Sequence, residues 1–296
     1  MDRLLKCITH DSRIRITVVD VTMTAKALEA RHLSGPLASA VLAESLAAGA
    51  LLASDASSSD EAWMLRMNVS GAVGGVLVES TGSGQLRGFT NQKTLGNLDA
   101  VLPIDTASAL GDTGSVQIVS SMPGRILSQA VLNVTPPHLR FVLARYYNQS
   151  VQVPTGCCVK VAADDGGILS ARALLVQRMD DSDQSVFIGA LECLESEEMD
   201  AFLLERVWGD DIAVRVRDVL RCDPVAVREE KPLSFGCRCN KDRVLGILQS
   251  LSMEEVDGMI AAGKSQDVTC HMCGQTYTAD TDDLLSVRTK MQETRS

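Results

Sequence analysis

The sequence predicts an α+β (mixed α/β) N-terminal body, a helical linker and a small, cysteine-containing C-terminal domain. Three observations lead to this prediction. The 296-residue chain is 45% hydrophobic but only 3% aromatic, which suits a largely aliphatic core. Strand and helix patterns interleave over residues 1–179 without the regular period of β-α-β units. Two pairs of cysteines then lie close to the C-terminus.

The body, residues 1–179, is expected to contain short strands separated by glycines, together with two helices. Residues 14–21 are predicted to be the first strand. Pro36 stands at an early helical position, where its missing N–H costs little, and its helix continues to about Ala53. A second helix is expected over 136–149. Further strands are predicted at 62–69, 75–79, 85–90, 115–121, 125–134 and 157–163, and 168–177 is expected to be a strand or a helix.

Residues 180–230 are predicted to form an acidic, helical linker. An amphipathic helical pattern covers 184–220, Ser196 is a plausible N-cap within it, and 222–232 is expected to be a loop. Such helices need a partner surface for their apolar face. The acidic residues are Asp180, Asp181, Asp183, Glu192, Glu195, Glu197, Glu198, Asp200, Glu205, Asp210 and Asp211, and the apolar positions after Ser196 are Met199, Phe202, Leu203 and Val207.

The most specific pattern is formed by four cysteines. Cys237 and Cys239 form a Cys-x-Cys pair, and Cys270 and Cys273 form a Cys-x-x-Cys pair 30 residues further on. Each pair offers two sulfurs from one tight turn, which suits a tetrahedral zinc site. We therefore predict one zinc ion per chain, bound by these four residues. Inert core cysteines and a purely structural zinc site are the alternatives. A thioredoxin-like pair is disfavoured, because Cys270 and Cys273 do not follow the strand of a β-α-β unit.

The region around these cysteines, residues 231–296, is too small to be held securely by its own core. Two short helices are predicted between the pairs. Ser252 and Glu255 form a capping box for the second helix, and Gly263 suits its C-terminus. Gly236 and Gly274 are expected to give backbone freedom to the two cysteine turns. A bound metal would be the main element that stabilises this domain.

The remaining candidate ligands have no comparable spacing. His271 lies between two better ligands on one turn and is expected to point away from the metal. Cys222 lies near the zinc module and is a candidate for reactivity, whereas Cys157 and Cys158 are expected in the core. The cysteines without ligand spacing are Cys7, Cys157, Cys158, Cys193 and Cys222.

Composition and motifs disfavour several classes of function. A net charge of -10 argues against binding to nucleic acid or to an anionic membrane surface. The apolar stretch 36–53 is interrupted by Ser39, Glu44 and Ser45, so we expect a buried helix rather than a membrane span. The N-terminus lacks secretory features, and nine cysteines without a signal indicate a reducing compartment, either the cytoplasm or an organelle matrix. No motif of a metabolic enzyme is found, so the protein is not expected to be an enzyme.

The cysteine segments resemble a known family. Residues 235–243 (FGCRCNKDR) and 270–277 (CHMCGQTY) resemble the C-terminal zinc module of the 33-kDa heat-shock protein family, which consists of redox-regulated holdase chaperones. The body also resembles that family, with the helix at 36–53, Leu86-Arg-Gly-Phe89 and Gly166-Gly167 in family-like order. The resemblance covers nearly the whole chain.

The resemblance implies a specific switch. The reduced, zinc-loaded protein would be an inactive monomer, and oxidants would form the disulfides Cys237–Cys239 and Cys270–Cys273 and expel the zinc. The linker would then unfold, and the protein would become a homodimer that binds unfolding client proteins without ATP. Two alternatives remain: a static zinc-ribbon adaptor and a thiol-disulfide oxidoreductase. The acidic linker, the large metal-free body and the lack of a small-molecule site favour the chaperone.

Overall fold

The computed structural model describes residues 1–295 except 12, 165, 180–183, 206, 207, 210 and 224. It contains two compact units, Met1–Gly236 and Cys237–Ser296. The predicted α+β fold class is confirmed. The division into 1–179, 180–230 and 231–296 stays a prediction. The predicted polar break at Asp180, Asp181 and Asp183, together with Val207 and Asp210, lies outside the described residues.

Helices and strands alternate irregularly along the described chain. The helices are α1 (Thr22–His32), α2 (Pro36–Ala53), α3 (Thr106–Leu110), α4 (Leu139–Arg145), α5 (Ser185–Cys193), α6 (Glu197–Leu204), α7 (Ile212–Leu220), α8 (Lys241–Leu248), α9 (Met253–Ala261) and α10 (Thr281–Arg295). The strands are β1 (Arg3–Thr9), β2 (Ile14–Asp20), β3 (Ala62–Val69), β4 (Gly75–Thr81), β5 (Gln85–Thr90), β6 (Gly114–Met122), β7 (Arg125–Val134), β8 (Thr155–Asp164), β9 (Gly167–Arg178), β10 (Val225–Pro232), β11 (Ser234–Phe235), β12 (Gln266–Thr269) and β13 (Thr276–Ala279).

The first sheet has five antiparallel strands in the order β10-β1-β2-β9-β8. Two sequence predictions fail here. Residues 14–21 do not hold the first strand, because β1 precedes β2, and 222–232 is not a loop, because β10 pairs with β1. The strand β10 is charged and lacks an alternating apolar pattern. It forms because β1 offers a free edge, and the ion pair between Lys6 and Glu229 (2.8 Å) joins the two strands.

The second sheet has the order β11-β5-β4-β3-β6-β7, and its predicted strands are confirmed. The segment 168–177 lies in strand β9. The helix expected over 136–149 begins only at Leu139, because the adjacent prolines Pro136 and Pro137 favour extended backbone before it. It continues into a π-helical turn, Tyr146–Val151.

Helix α2 packs against strands of both sheets and forms the centre of the larger unit. Among the described residues it is the one helix that is long and apolar enough to cross a membrane, and 89% of that stretch is buried inside the protein. Core helices of soluble proteins have the same length and composition. The burial therefore agrees with the buried helix predicted from the sequence.

Helices α5, α6 and α7 cover the face of the first sheet that is opposite to α2. Ser196 caps α6 as predicted, since its Oγ accepts from the amide of Met199 (3.1 Å). The buried residues of this layer are Leu5, Cys7, Ile14, Ile16, Val18, Cys158, Leu174 and Val176 from the sheet, and Phe187, Ala190, Cys193, Leu194, Met199, Phe202, Leu203, Trp208, Ile212, Val216 and Leu220 from the helices and the segments after them. The acidic helices therefore have the partner surface that their apolar face requires.

Close packing of α5 on β8 depends on Gly156. A Cβ atom at this position would lie 2.2 Å from Leu191 Cδ2 and 2.9 Å from Leu194 Cδ1. Both leucines belong to the helical layer, and Leu194 is buried. A side chain at Gly156 must therefore displace the side chains of Leu191 and Leu194 from their packing on the sheet.

We expect Gly156→Val to lower stability by about 1–3 kcal/mol, because the new methyl groups overpack the α5–β8 contact. Thermal unfolding followed by circular dichroism measures the effect. Gly189→Ala is the matched control, since nothing lies within 4 Å of a Cβ there and alanine favours the helix. A midpoint for Gly156→Val at or above that of the wild type would contradict the proposed close packing.

Candidate metal centre

The smaller unit is built from α8, α9, the β12–β13 hairpin and α10. Its buried apolar core is small and consists of Leu248, Val256, Ala279, Leu284, Val287 and Met291. The predicted capping box is present, because Ser252 Oγ accepts from the amide of Glu255 while the Glu255 carboxylate accepts from the amide of Ser252. Gly263 follows Ala262, the C-cap of α9, and has a positive φ of 64°, which agrees with its predicted role at the helix end.

All four predicted ligands meet in this unit. The Sγ atoms of Cys237 and Cys270 are 3.9 Å apart, those of Cys239 and Cys273 are 3.4 Å apart, and all four lie within 4.8 Å of one another. Zinc–sulfur bonds of about 2.3 Å in a tetrahedron place the sulfurs about 3.8 Å apart. The observed spacing fits such an ion, and the cluster can hold a metal.

Local backbone structure presents each pair of sulfurs. Cys237 and Cys239 precede α8, whose N-cap is Asn240. Cys270 and Cys273 lie in the turn between β12 and β13, where the amide of Gly274 donates to the carbonyl of Cys270 (2.8 Å). Gly274 has a φ of 70°, so this turn favours glycine as predicted.

Gly236 is favoured at its position because a side chain there would collide with a neighbouring residue, and not because its backbone is left-handed. A Cβ atom there would lie 2.9 Å from Cδ of Gln85. The amide of Gly236 donates to the carbonyl of Leu86 (3.0 Å), which continues the pairing of β11 with β5 up to the first ligand.

The environment of the sulfurs favours a bound cation. Burial, followed by the proximity of the other thiols, raises the pKa values of Cys270 and Cys273. Four thiolates this close would repel one another, whereas a divalent ion compensates their charge and removes the protons. The donor set is therefore chemically suited to a soft, divalent metal.

Tyr277 contacts the cluster, although no role was predicted for it from the sequence. Its hydroxyl has one proton to donate and lies within reach of two acceptors, Cys239 Sγ (3.2 Å) and the Cys239 carbonyl oxygen (3.1 Å). The hydrogen bond to the Cys239 side chain raises the pKa of Tyr277 to about 12. A hydrogen bond to a ligand sulfur orients the ligand and stabilises its negative charge. The sequence feature that could have indicated this contact is a tyrosine four positions after Cys273, on the strand that follows the cysteine turn.

The other cysteines do not join the cluster. Burial raises the pKa of Cys7, Cys158 and Cys222 to about 11 and that of Cys157 to about 12. Cys157 and Cys158 are buried in β8 as expected, and the predicted reactivity of Cys222 is disfavoured while it remains folded. Within the described part of the chain, the group of possible metal ligands contains cysteines alone, without His271.

The fold and this site define a class: an α+β protein with a helical layer on its sheet and a separate four-cysteine unit. The match to the family model described as Hsp33 protein extends over residues 2–280. The chain belongs to the Hsp33 family.

Curated relatives match over almost their whole length. The 33 kDa chaperonin of Geobacillus kaustophilus is 27% identical over 285 residues, which cover 96% of each chain. The 33 kDa chaperonin of Synechocystis sp. is 26% identical over 298 residues, 100% of this chain and 98% of that protein. The crystal structure of the 33 kDa chaperonin from Thermotoga maritima has the same fold, with a TM-score of 0.84, 20% identity and 99% coverage of both chains.

We expect Tyr277→Phe to weaken binding of zinc, the metal predicted from the sequence, about 10-fold, which is the lower end for loss of a residue that supports a ligand. Competition with a chromophoric chelator measures the affinity, and the charge-transfer bands of the Co²⁺ form report on the sulfurs directly. Thr278→Val is the control, because the Thr278 hydroxyl donates to Asp267 and not to a sulfur. Equal affinities and spectra for wild type and Tyr277→Phe would show that the hydroxyl does not tune the cluster.

Proposed function

We propose that the protein is a redox-regulated, ATP-independent holdase that binds unfolding proteins under oxidative stress. The observation that carries this proposal is a cluster of four thiols in a unit with a small core, on a chain whose acidic helices cover an apolar sheet face. Family membership and the names of the curated relatives, 33 kDa chaperonins, support a chaperone.

The proposed metal is zinc, one ion per chain, held by Cys237, Cys239, Cys270 and Cys273. Four cysteine sulfurs at these distances are typical of structural zinc sites. When bound, zinc keeps the sulfurs as thiolates and supplies folding free energy, about 10–16 kcal/mol in small zinc modules. Whole domains are stable by about 5–15 kcal/mol, so the C-terminal unit is expected to unfold when the cation is lost.

The proposed switch is the oxidation of these thiols. In each step two cysteine thiolates lose two electrons and form one disulfide, while one hydrogen peroxide takes up those two electrons and two protons from solvent and becomes two molecules of water. Two such steps consume all four ligands, and the zinc would leave as Zn²⁺. The pairing Cys237–Cys239 and Cys270–Cys273 follows from the family resemblance, whereas the Sγ atoms of Cys239 and Cys273, which belong to different pairs, are 3.4 Å apart in the folded unit. Peptide mapping of the oxidised protein distinguishes these pairings.

The proposed output is release of α5, α6 and α7 from the sheet. The segment that connects α7 to Cys237 contains β10 and β11, so the linker and the metal unit are close neighbours along the chain. The carboxylates of the helices repel one another, and their apolar side chains stay buried only while the helices are docked. Release would expose Leu174, Val176 and Ile16, an apolar face of the kind that binds unfolded segments.

The remaining features of the proposal follow the family resemblance. The reduced, zinc-bound form is an inactive monomer, and the oxidised form is a homodimer that holds client proteins. A reducing compartment, the cytoplasm in a bacterial cell, keeps the thiols reduced until stress occurs.

The test is aggregation of a chemically unfolded protein, followed by light scattering, with zinc release measured in the same samples. We expect suppression only after peroxide treatment, together with the loss of about one zinc per chain. Cys239→Ser removes one proposed ligand, so suppression of aggregation by this variant is expected no longer to depend on zinc release. Cys222→Ser is the matched control, because Cys222 lies outside the cluster.

Other outcomes would identify the alternatives. Zinc loss without suppression in either state would indicate a static zinc-ribbon adaptor. Catalytic turnover of small disulfide substrates, lost in Cys270→Ser or Cys273→Ser, would indicate a thiol-disulfide oxidoreductase.

A further inference from the structure

A row of charged side chains crosses the first sheet on the face that α5–α7 cover. Strand register places Arg3 opposite Asp20, Asp20 opposite Arg172, and Arg172 opposite Lys160. We call these four residues the charged row. Asp20 accepts from Arg172 Nε at 2.8 Å, and Arg172 is 1% exposed. The row contains three cations and one carboxylate, and Glu230 of strand β10 lies 3.5 Å from Arg3. Together these five residues carry a net charge of +1, so the row is cationic.

Each cation of the row holds a different part of the linker. Lys160 Nζ lies 2.7 Å from the carboxylate of Asp200 in α6. Arg172 donates to the backbone carbonyls of Leu203 (3.2 Å) and Glu205 at the end of α6.

Arg3 holds the segment after α6, since it donates to the carbonyl of Gly209 (2.6 Å). A second ion pair, between Arg140 and Glu195 (3.0 Å), fixes the segment before α6. Five residues of the linker therefore contact cations of the body: Glu195, Asp200, Leu203, Glu205 and Gly209.

Aromatic stacking completes the contact. The guanidinium of Arg172 lies 4.2 Å from the ring centre of Trp208, and Trp208 stacks on Phe202 with ring centres 4.9 Å apart. The Trp208 indole N–H donates to the carbonyl of Phe202 (2.9 Å). An open cleft of about 620 Å³ beside the row is lined by Arg3, Asp20, Arg172 and Trp208.

We infer that this face, once the linker has left it, selects client segments that resemble residues 195–209. Such segments are amphipathic, carry an aromatic side chain to stack on Arg172, and have carboxylates beside their apolar stripe. Basic segments are disfavoured, because their positive charges would lie beside Lys160 and Arg172. The inference rests on the proposed function and specifies its substrate class.

The test compares two labelled peptides by fluorescence anisotropy on the peroxide-treated, full-length protein. One has the sequence of residues 195–209, and the other carries lysine in place of its five acidic residues. We expect the acidic peptide to bind at least about 5-fold more tightly. The net charge of the whole chain is -10, which by itself would favour binding of the lysine peptide. A preference for the acidic peptide must therefore come from the charges at the binding face.

Variants locate the preference. Lys160→Glu should weaken binding of the acidic peptide about 3- to 10-fold and improve binding of the lysine peptide, and Lys160→Gln should be intermediate. Arg66→Glu is the matched control, since it makes the same charge change at an exposed position of strand β3 in the second sheet. Arg172→Lys keeps the charge but loses the planar stack, so it should reduce the advantage of peptides that contain tryptophan.

The outcomes separate this inference from the function on which it rests. An oxidised protein that suppresses aggregation but binds both peptides equally, or prefers the lysine peptide, overturns the inference and leaves the chaperone proposal intact. Equal effects of Lys160→Glu and Arg66→Glu also overturn it. An oxidised protein that suppresses no aggregation refutes the proposed function itself, and the inference with it.

Discussion

The four sulfurs of the C-terminal unit are the constraint on which the rest of the account depends. They must lie within 4.8 Å of one another, although burial and mutual repulsion oppose four thiolates at that distance. The apolar core of the unit is too small to offset this cost. A bound cation would resolve the conflict, and the Tyr277 hydroxyl lies within hydrogen-bond distance of one of the sulfurs. Under the proposed function, loss of the thiolates would therefore remove the main stabilising element of the unit.

A second interdependence links the linker to the first sheet. A buried guanidinium is costly unless all its donors are satisfied, and Arg172 obtains partners from both Asp20 and the carbonyls that end α6. The acidic helices in turn rely on the cations and apolar side chains of the sheet. If the linker undocks, Arg172 loses the carbonyl partners at the end of α6, and the apolar side chains of both the helices and the sheet become exposed. Docking is therefore expected to be close to all-or-none. By the inference above, the surface that holds the linker also suits the binding of similar segments.

Local patterns predicted much of the fold, whereas contacts set by strand register could not be predicted. Three helix starts could be predicted because each depends only on residues that are close in the sequence. They are marked by Pro36, by Ser196 and by the Ser252–Glu255 capping box. The charged strand β10 forms only because β1 has a free edge, which the sequence of β10 does not indicate. The spacing of the four cysteines predicted their cluster, but the contact of Tyr277 with Cys239 could not be predicted in this way, because the two residues are 38 positions apart. Arg172 stands out in the sequence as a charge within an apolar strand, but the sequence does not indicate its partners.

Trp208 offers the most direct test of redox-controlled linker release, because it is stacked between Phe202 and Arg172 in the docked state. The chain has two tryptophans, and Trp63→Phe leaves Trp208 as the sole reporter. Peroxide titration should shift Trp208 emission to longer wavelength in proportion to zinc release, and reduction with added zinc should reverse the shift. Complete zinc release with unchanged Trp208 emission would show that the linker stays docked and would contradict the account.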